Sequence, residues 1–162
     1  MAVTPSSASA SWYLDPAAAR DKRRIHRELI HRWTRDQAPA RVLKTDLFEE
    51  ANGEDHLLVD LFPAPTTAMA FDLDPVTCRR AARRFHTSGA GFFASDLRRI
   101  ALASASVDLV VSTSTLDHLD SLDALRVAVE EMARVLRPGG TLVVTVDNPR
   151  NPVYWILRLM SR

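Results

Sequence analysis

The sequence predicts an α/β protein: a doubly wound, mainly parallel sheet of about five strands, preceded by one helix. Three observations carry that expectation. From about residue 40, short apolar runs alternate with amphipathic stretches. The intervening stretches are about ten residues or more, the length that parallel strands joined by right-handed crossovers require. The runs are nearly continuous in apolar character, as in strands covered by helices on both faces.

The elements follow in order. "MAVTPSSASAS" is small and polar, without a basic start or an apolar run. It does not read as a secretory signal, and residues 1–14 are expected to form a disordered tail. Asp15-Pro16 reads as an N-cap and first-turn proline. They open an N-terminal helical unit over 15–36, with the helix running to about Trp33. Ile25, Leu29, Ile30 and Trp33 are expected on one face. Arg20, Lys22, Arg23, Arg24, Arg27, Arg32 and Arg35 make the other face basic. That face reads as the solvated side of a docking helix; an anion or nucleic-acid patch is the alternative.

A single domain is expected over 40–150. "ARVLKTD" is its first strand, and Leu47–Leu61 is helical with a break near Asn52-Gly53. Thr67–Asp74 is the second strand. Asp74-Pro75 caps a helix over Val76–Phe85. Gly91–Asp96 is the third strand, and Val107–Thr115 is the fourth and most apolar. "SLDALRVAVEEMARVL" is a helix with Leu122, Leu125, Val129, Met132, Ala133 and Leu136 along one side. Pro138-Gly139-Gly140 is expected to stop it. "TLVVTVD" is the fifth strand. Residues 151–162, with "PVYWILRLM", form an apolar, helical end segment.

Composition narrows the function. A chain of 162 residues suits one domain with a real core. A net charge of +1 gives no general attraction to nucleic acid or membrane. Cys78 is the single cysteine, so no internal disulfide can form, and a reducing, cytoplasmic compartment is expected. The five histidines make no HxxxH pattern and there is no CxxC, so no metal site is expected. No apolar stretch is long enough to span a bilayer.

A doubly wound sheet binds its ligands outside the carboxyl ends of its strands, at the switch point. The residues there are Asp46, Asp72, Asp96, Ser112 to Thr115 and Asp147. The Asp72 carboxylate suits the two hydroxyls of a ribose. Asp96 suits an exocyclic amino group, with Leu73 or Leu97 against the base. Helix capping is the plainer role for both acids. Ser112 and Thr113 leave room for a ligand and offer hydroxyls. His118 lies in the loop over the site and is a candidate base; a backbone tether is the plainer role.

The phrases "AFDLDP", "SVDLVVSTSTLDHLD" and "EEMARVLRPGGTLVVTVDNP" resemble the class I S-adenosylmethionine-dependent methyltransferases of the type 11 kind, over roughly Ala40 to Pro152. The resemblance implies a Rossmann-like sheet of seven strands, of which the sixth and seventh have no counterpart here. It implies S-adenosyl-L-methionine as cofactor. Asp72 would hold its ribose, Leu73 would flank adenine, and Asp96 with Leu97 would meet the adenine edge. Ser112 and Thr113 would line the methionine side. The glycine-rich loop expected after the first strand is replaced by "LKTDLFEEANG", as in a subgroup with "LKTDLFEEA". There Lys44, Thr45, Asp46 and Glu49 would grip the amino-acid tail, Lys44 on its carboxylate and Asp46 or Glu49 on its ammonium. The expected function is methyl transfer to a small-molecule acceptor. The alternative is a shortened, non-catalytic fragment that associates with itself or a partner through an exposed fifth strand.

Overall fold

The computed structural model describes residues 16–34, 38–53, 56–62 and 66–146. The expected tail (1–14) and end segment (151–162) lie outside the described residues, as do Asp15, Arg35 and Asp147. The elements in order are α1 (Pro16–Thr34), β1 (Arg41–Thr45), α2 (Phe48–Asn52), α3 (Leu58–Leu61), β2 (Thr67–Asp72), α4 (Pro75–Arg84), β3 (Gly91–Ala94), β4 (Val107–Thr113), a 3-10 turn (Leu116–His118), α5 (Leu122–Val135) and β5 (Leu136–Thr145).

The five strands form one sheet in the order β3-β2-β1-β4-β5, and every neighbouring pair is parallel. The chain steps outward from β1 to β3, then crosses back to lay β4 on the other side of β1. The switch point therefore lies between the carboxyl ends of β1 and β4.

Period-two alternation divides the apolar side chains between two layers. On one face Val42, Leu109, Val111 and Val143 meet Ile30 of α1 with Leu57 and Leu61. The same layer continues as Ala68 and Ala70 against Leu47, Leu58, Cys78 and Ala81. On the other face Leu43, Phe71, Val107 and Val110 meet Ala128, Met132 and Val135 of α5. Burying one such side chain contributes about 1.5–3 kcal/mol. Every residue of β4 is buried, the polar Asp108, Ser112 and Thr113 among them.

Local signals place the helices. Asp74 caps α4 by accepting the N–H groups of Val76 and Thr77, with Pro75 in the first turn. Ser121 caps α5 by accepting the Ala124 N–H. The expected break after Asn52 separates α2 from α3.

Three expectations need correction. The buried face of α1 is Ala19, His26, Ile30 and Thr34, whereas Ile25 and Trp33 are 47% and 49% exposed. The buried face of α5 is Ala124, Ala128, Met132 and Val135, whereas Leu122 and Val129 are exposed. Pro138-Gly139-Gly140 does not follow the helix as a loop. The helix ends at Val135, and the three residues lie inside β5 as a bulge, where Leu136 pairs with Val107 and Thr141 with Leu109. Gly139 has φ +79°, and a Cβ on Gly140 would stand 2.9 Å from the Arg137 carbonyl oxygen. Glycine is required at both for different reasons. The connection from β3 to β4, for which no element was expected, contains no helix. Residues 95–106 cross the sheet as turns, and α5 holds them. Glu131 accepts the Ile100 N–H (2.9 Å), and Arg134 donates to the carbonyls of Ile100 and Leu102 (both 2.9 Å).

Candidate functional site

A recess of about 320 Å³ opens at the carboxyl ends of the strands. That volume is within the range of small-molecule sites. The turn after β1 contributes Asp46, and the end of β2 with the residue after it contributes Phe71, Asp72 and Leu73. The end of β3 contributes Ser95, Asp96, Leu97 and Arg98. The loop after β4 contributes Thr115, His118, Leu119 and Asp120.

Asp46 is the first residue beyond β1 and has φ +66°, a left-handed conformation uncommon for a residue with a Cβ. Its Oδ1 accepts the Phe48 N–H at 2.7 Å. Burial pushes its carboxyl above the ordinary aspartate value, and Asp72 and Glu50 push the same way. Lys44 and the Phe48 N–H oppose them. Asp72 is aimed by two backbone donors: Leu47 N–H to Oδ2 at 3.0 Å and Asp74 N–H to Oδ1 at 2.8 Å. The capping role belongs to Asp74, which leaves Asp72 to face the recess. Asp96 forms a two-pronged pair with Arg98, with Nε–Oδ1 3.0 Å and Nη2–Oδ2 2.7 Å. Those Arg98 hydrogen bonds hold the Asp96 carboxyl below the ordinary range. Leu73 is 69% exposed beside the recess, and Leu97 is buried under it. His118 is exposed at the mouth.

Six expected site residues thus meet in one recess: Asp46, Asp72, Leu73, Asp96, Leu97 and His118. Five others do not line it. Lys44 is 2% exposed and turned into the protein, where its Nζ lies 2.8 Å from Glu50 Oε2. Thr45 and Ser112 are fully buried and share a hydrogen bond of 2.9 Å. Thr113 is buried in β4, and its carbonyl accepts the Thr115 hydroxyl at 3.1 Å. Glu49 pairs with Lys22 of α1 at 3.1 Å. These five form the layer behind the recess. Thr45 Oγ1 is 3.0 Å from Thr115 Oγ1, which does line it.

Sequence reasoning missed Phe71, Ser95, Arg98, Leu119 and Asp120, and it placed Thr115 at a strand end without giving it a role. Thr115 had a signal, as the last hydroxyl of "STST". Arg98 had a weaker one, a cation two residues past a strand-end acid. Strain also marks the place. Ser114 just past β4 has φ +49°, as Asp46 has φ +66° just past β1. Two of the three non-glycine residues with positive φ among the described residues flank the switch point.

Asp46, Asp72, Asp96 and Asp120 line the recess together with Arg98 and His118. That balance suits a ligand with hydroxyl, amino or cationic groups and disfavours a polyphosphate. Among the described residues no group of three or more His, Cys, Asp or Glu is arranged to hold a metal ion. No helix among them is long and apolar enough to cross a membrane.

Known proteins resemble this chain in sequence and in fold. The sequence model described as "Methyltransferase domain" matches residues 48–144. An uncharacterized methyltransferase of Mycobacterium tuberculosis is 35% identical over 81 residues, covering 49% of this chain and 40% of that protein. The malonyl-[acyl-carrier protein] O-methyltransferase of Methylococcus capsulatus is 37% identical over 107 residues, covering 64% of this chain and 36% of that protein. The chain thus spans well under half the length of these curated relatives. Among solved structures, the N-methyltransferase NodS of Bradyrhizobium japonicum in complex with S-adenosyl-L-homocysteine aligns with a TM-score of 0.62 at 26% identity. That alignment covers 75% of this chain and 60% of NodS.

Proposed function

The chain belongs to the methyltransferase-domain family, and from that premise we propose that it transfers a methyl group from S-adenosyl-L-methionine to a small-molecule acceptor. The observation that carries the reading is the convergence of Asp46, Asp72 and Asp96 from three adjacent strand ends on one recess beside the switch point.

The donor supplies a methyl group already activated on a sulfonium, so the protein's task is chiefly to hold two partners in line. Asp72, with its carboxylate aimed by Leu47 and Asp74, accepts from the ribose hydroxyls. Asp96, kept ionised by Arg98, accepts from the adenine amino group. Leu73 and Leu97 flank the base. Asp46 takes the ammonium of the amino-acid tail through a charge-assisted bond. Lys44, Thr45, Glu49, Ser112 and Thr113 stand behind these residues and fix the strand ends. His118 at the mouth is placed to take a proton from an acceptor that must lose one. We assign the protein to the cytoplasm, a reading supported by its single cysteine, Cys78, which is buried as a free thiol.

Titration calorimetry with S-adenosylhomocysteine tests the proposal. Saturable binding is expected, and no heat from folded protein at millimolar ligand would overturn it. A second reading is association through β5, favoured because that strand pairs only with β4 among the described residues. Light scattering across a concentration series tests it, and an unchanging monomer mass would exclude it.

A further inference from the structure

We infer that Lys44 is a positioning residue, whose buried ammonium holds Asp46 in the left-handed conformation that presents the Asp46 carboxylate to the recess. The turn after β1 contains no glycine, yet it adopts at Asp46 the backbone state that glycine normally supplies. Something must hold a Cβ-bearing residue there.

The contacts identify what does. Lys44 Nζ donates to the Asp46 carbonyl at 2.6 Å, to Glu50 Oε2 at 2.8 Å and more weakly to the Thr45 carbonyl at 3.5 Å. An ammonium has three donors, and all three are used. Glu50 is itself tied down, because its Oε1 accepts the N–H groups of Leu57 (3.1 Å) and Leu58 (3.4 Å) at the start of α3. The Lys44 and Glu50 side chains are 2% and 0% exposed. Such a pair is weak grounds for stability, since an apolar pair of equal volume often does as well. An apolar pair would leave the Asp46 carbonyl without its closest donor. The pair therefore does something an apolar core does not: it fixes the backbone oxygen of the residue that enters the site. Lys44 acts through Asp46 and does not itself line the recess. The glycine loop is replaced here by a lysine clamp.

The conformational claim stands on geometry alone. Its consequence for affinity rests on the donor-binding reading above, and the test separates the two. Residue 46 is followed in the 162-residue chain by nuclear magnetic resonance, using backbone shifts and the one-bond and three-bond couplings that report the sign of φ. The comparison protein is Lys44→Met with Glu50→Gln, which removes the ammonium without leaving a buried carboxylate uncompensated. A positive φ is expected in the parent and its loss in the double variant. A positive φ that persists would overturn the inference. Adding Asp46→Gly to both proteins completes a cycle, since glycine keeps the turn without a clamp. The double change should lower the melting temperature less in the Asp46→Gly background than in the parent background. An equal drop would overturn the inference. So would a failure of Asp46→Gly to restore folding, if the double variant is unfolded. For S-adenosylhomocysteine affinity the double change should cost about tenfold in the parent background and less than about twofold in the Asp46→Gly background. A merely structural lysine would cost the same in both. If the parent binds no S-adenosylhomocysteine, the donor reading fails and the couplings at residue 46 decide the clamp on their own.

Discussion

Burial pushes the Asp46 carboxyl above its ordinary value of 3.8, with Asp72 and Glu50 adding to the effect. A raised carboxyl contributes stability below its unfolded value, and that contribution is lost as pH rises through the folded value. At neutral pH the ionised Asp46 therefore weakens the fold. Asp46→Asn should raise the melting temperature at pH 7, because asparagine is neutral and tolerates positive φ. The same change should lower S-adenosylhomocysteine affinity by about tenfold or more, through the lost charge-assisted bond. Asp72→Ala removes a carboxylate aimed by two N–H groups and should weaken that binding by about 1–3 kcal/mol in calorimetry. The strand-end acids are legible in the sequence because fold class alone locates strand ends. Lys44 is not, because a strand-end lysine next to two carboxylates resembles a ligand residue. Only the alternation of side chains in β1 turns it away from the recess, and only the partner Glu50, six residues on, explains why a charge can lie there. Arg98 escapes notice because its role depends on the turn that folds it back onto Asp96.

Between residues and the molecule lies the connection from β3 to β4, which has no helix of its own. Its order comes from α5. Glu131 and Arg134 grip Ile100 and Leu102, and in doing so they seat Leu97 and Ile100 in the core beneath the recess. Glu131→Ala should speed amide hydrogen exchange at Ile100. Arg134→Met should destabilise the protein by about 1.5–3 kcal/mol in a denaturant titration, through lost charge-assisted bonds to carbonyls. The phrase "EEMARVLRPGG" is the most recognisable in the chain, and these contacts give it a scaffolding role. The strands are legible because apolar runs covered on both faces have few alternatives. The buried helix faces are not, because alanine at Ala124 and Ala128 carries little periodic signal beside Leu122 and Val129. The Pro-Gly-Gly bulge is misplaced because the same three residues terminate helices and kink strands.

Helix α1 belongs to the same cooperative unit as the sheet. Ile30 is 1% exposed and shares a cluster with Val42, Leu109 and Val143 of three strands. Lys22 and Arg23 tie the helix to Glu49 and Asp60. Ile30→Ala should cost about 2–5 kcal/mol, and helix and sheet probes should melt together in one transition. The strand order also has a consequence in time. β1 finds β2 quickly, but its other partner is β4, and Thr45 and Ser112 are 67 residues apart. At a synthesis rate of about 5–20 residues per second, one edge of β1 waits about 3–13 seconds for its partner. An apolar strand edge left open that long invites pairing between nascent chains. Lys44 sits in that edge, and its partner Glu50 emerges almost at once. Lysine in an open strand edge disfavours such pairing, so the residue that is hidden in the folded chain is exposed at the stage where its charge counts most against neighbours of the same kind.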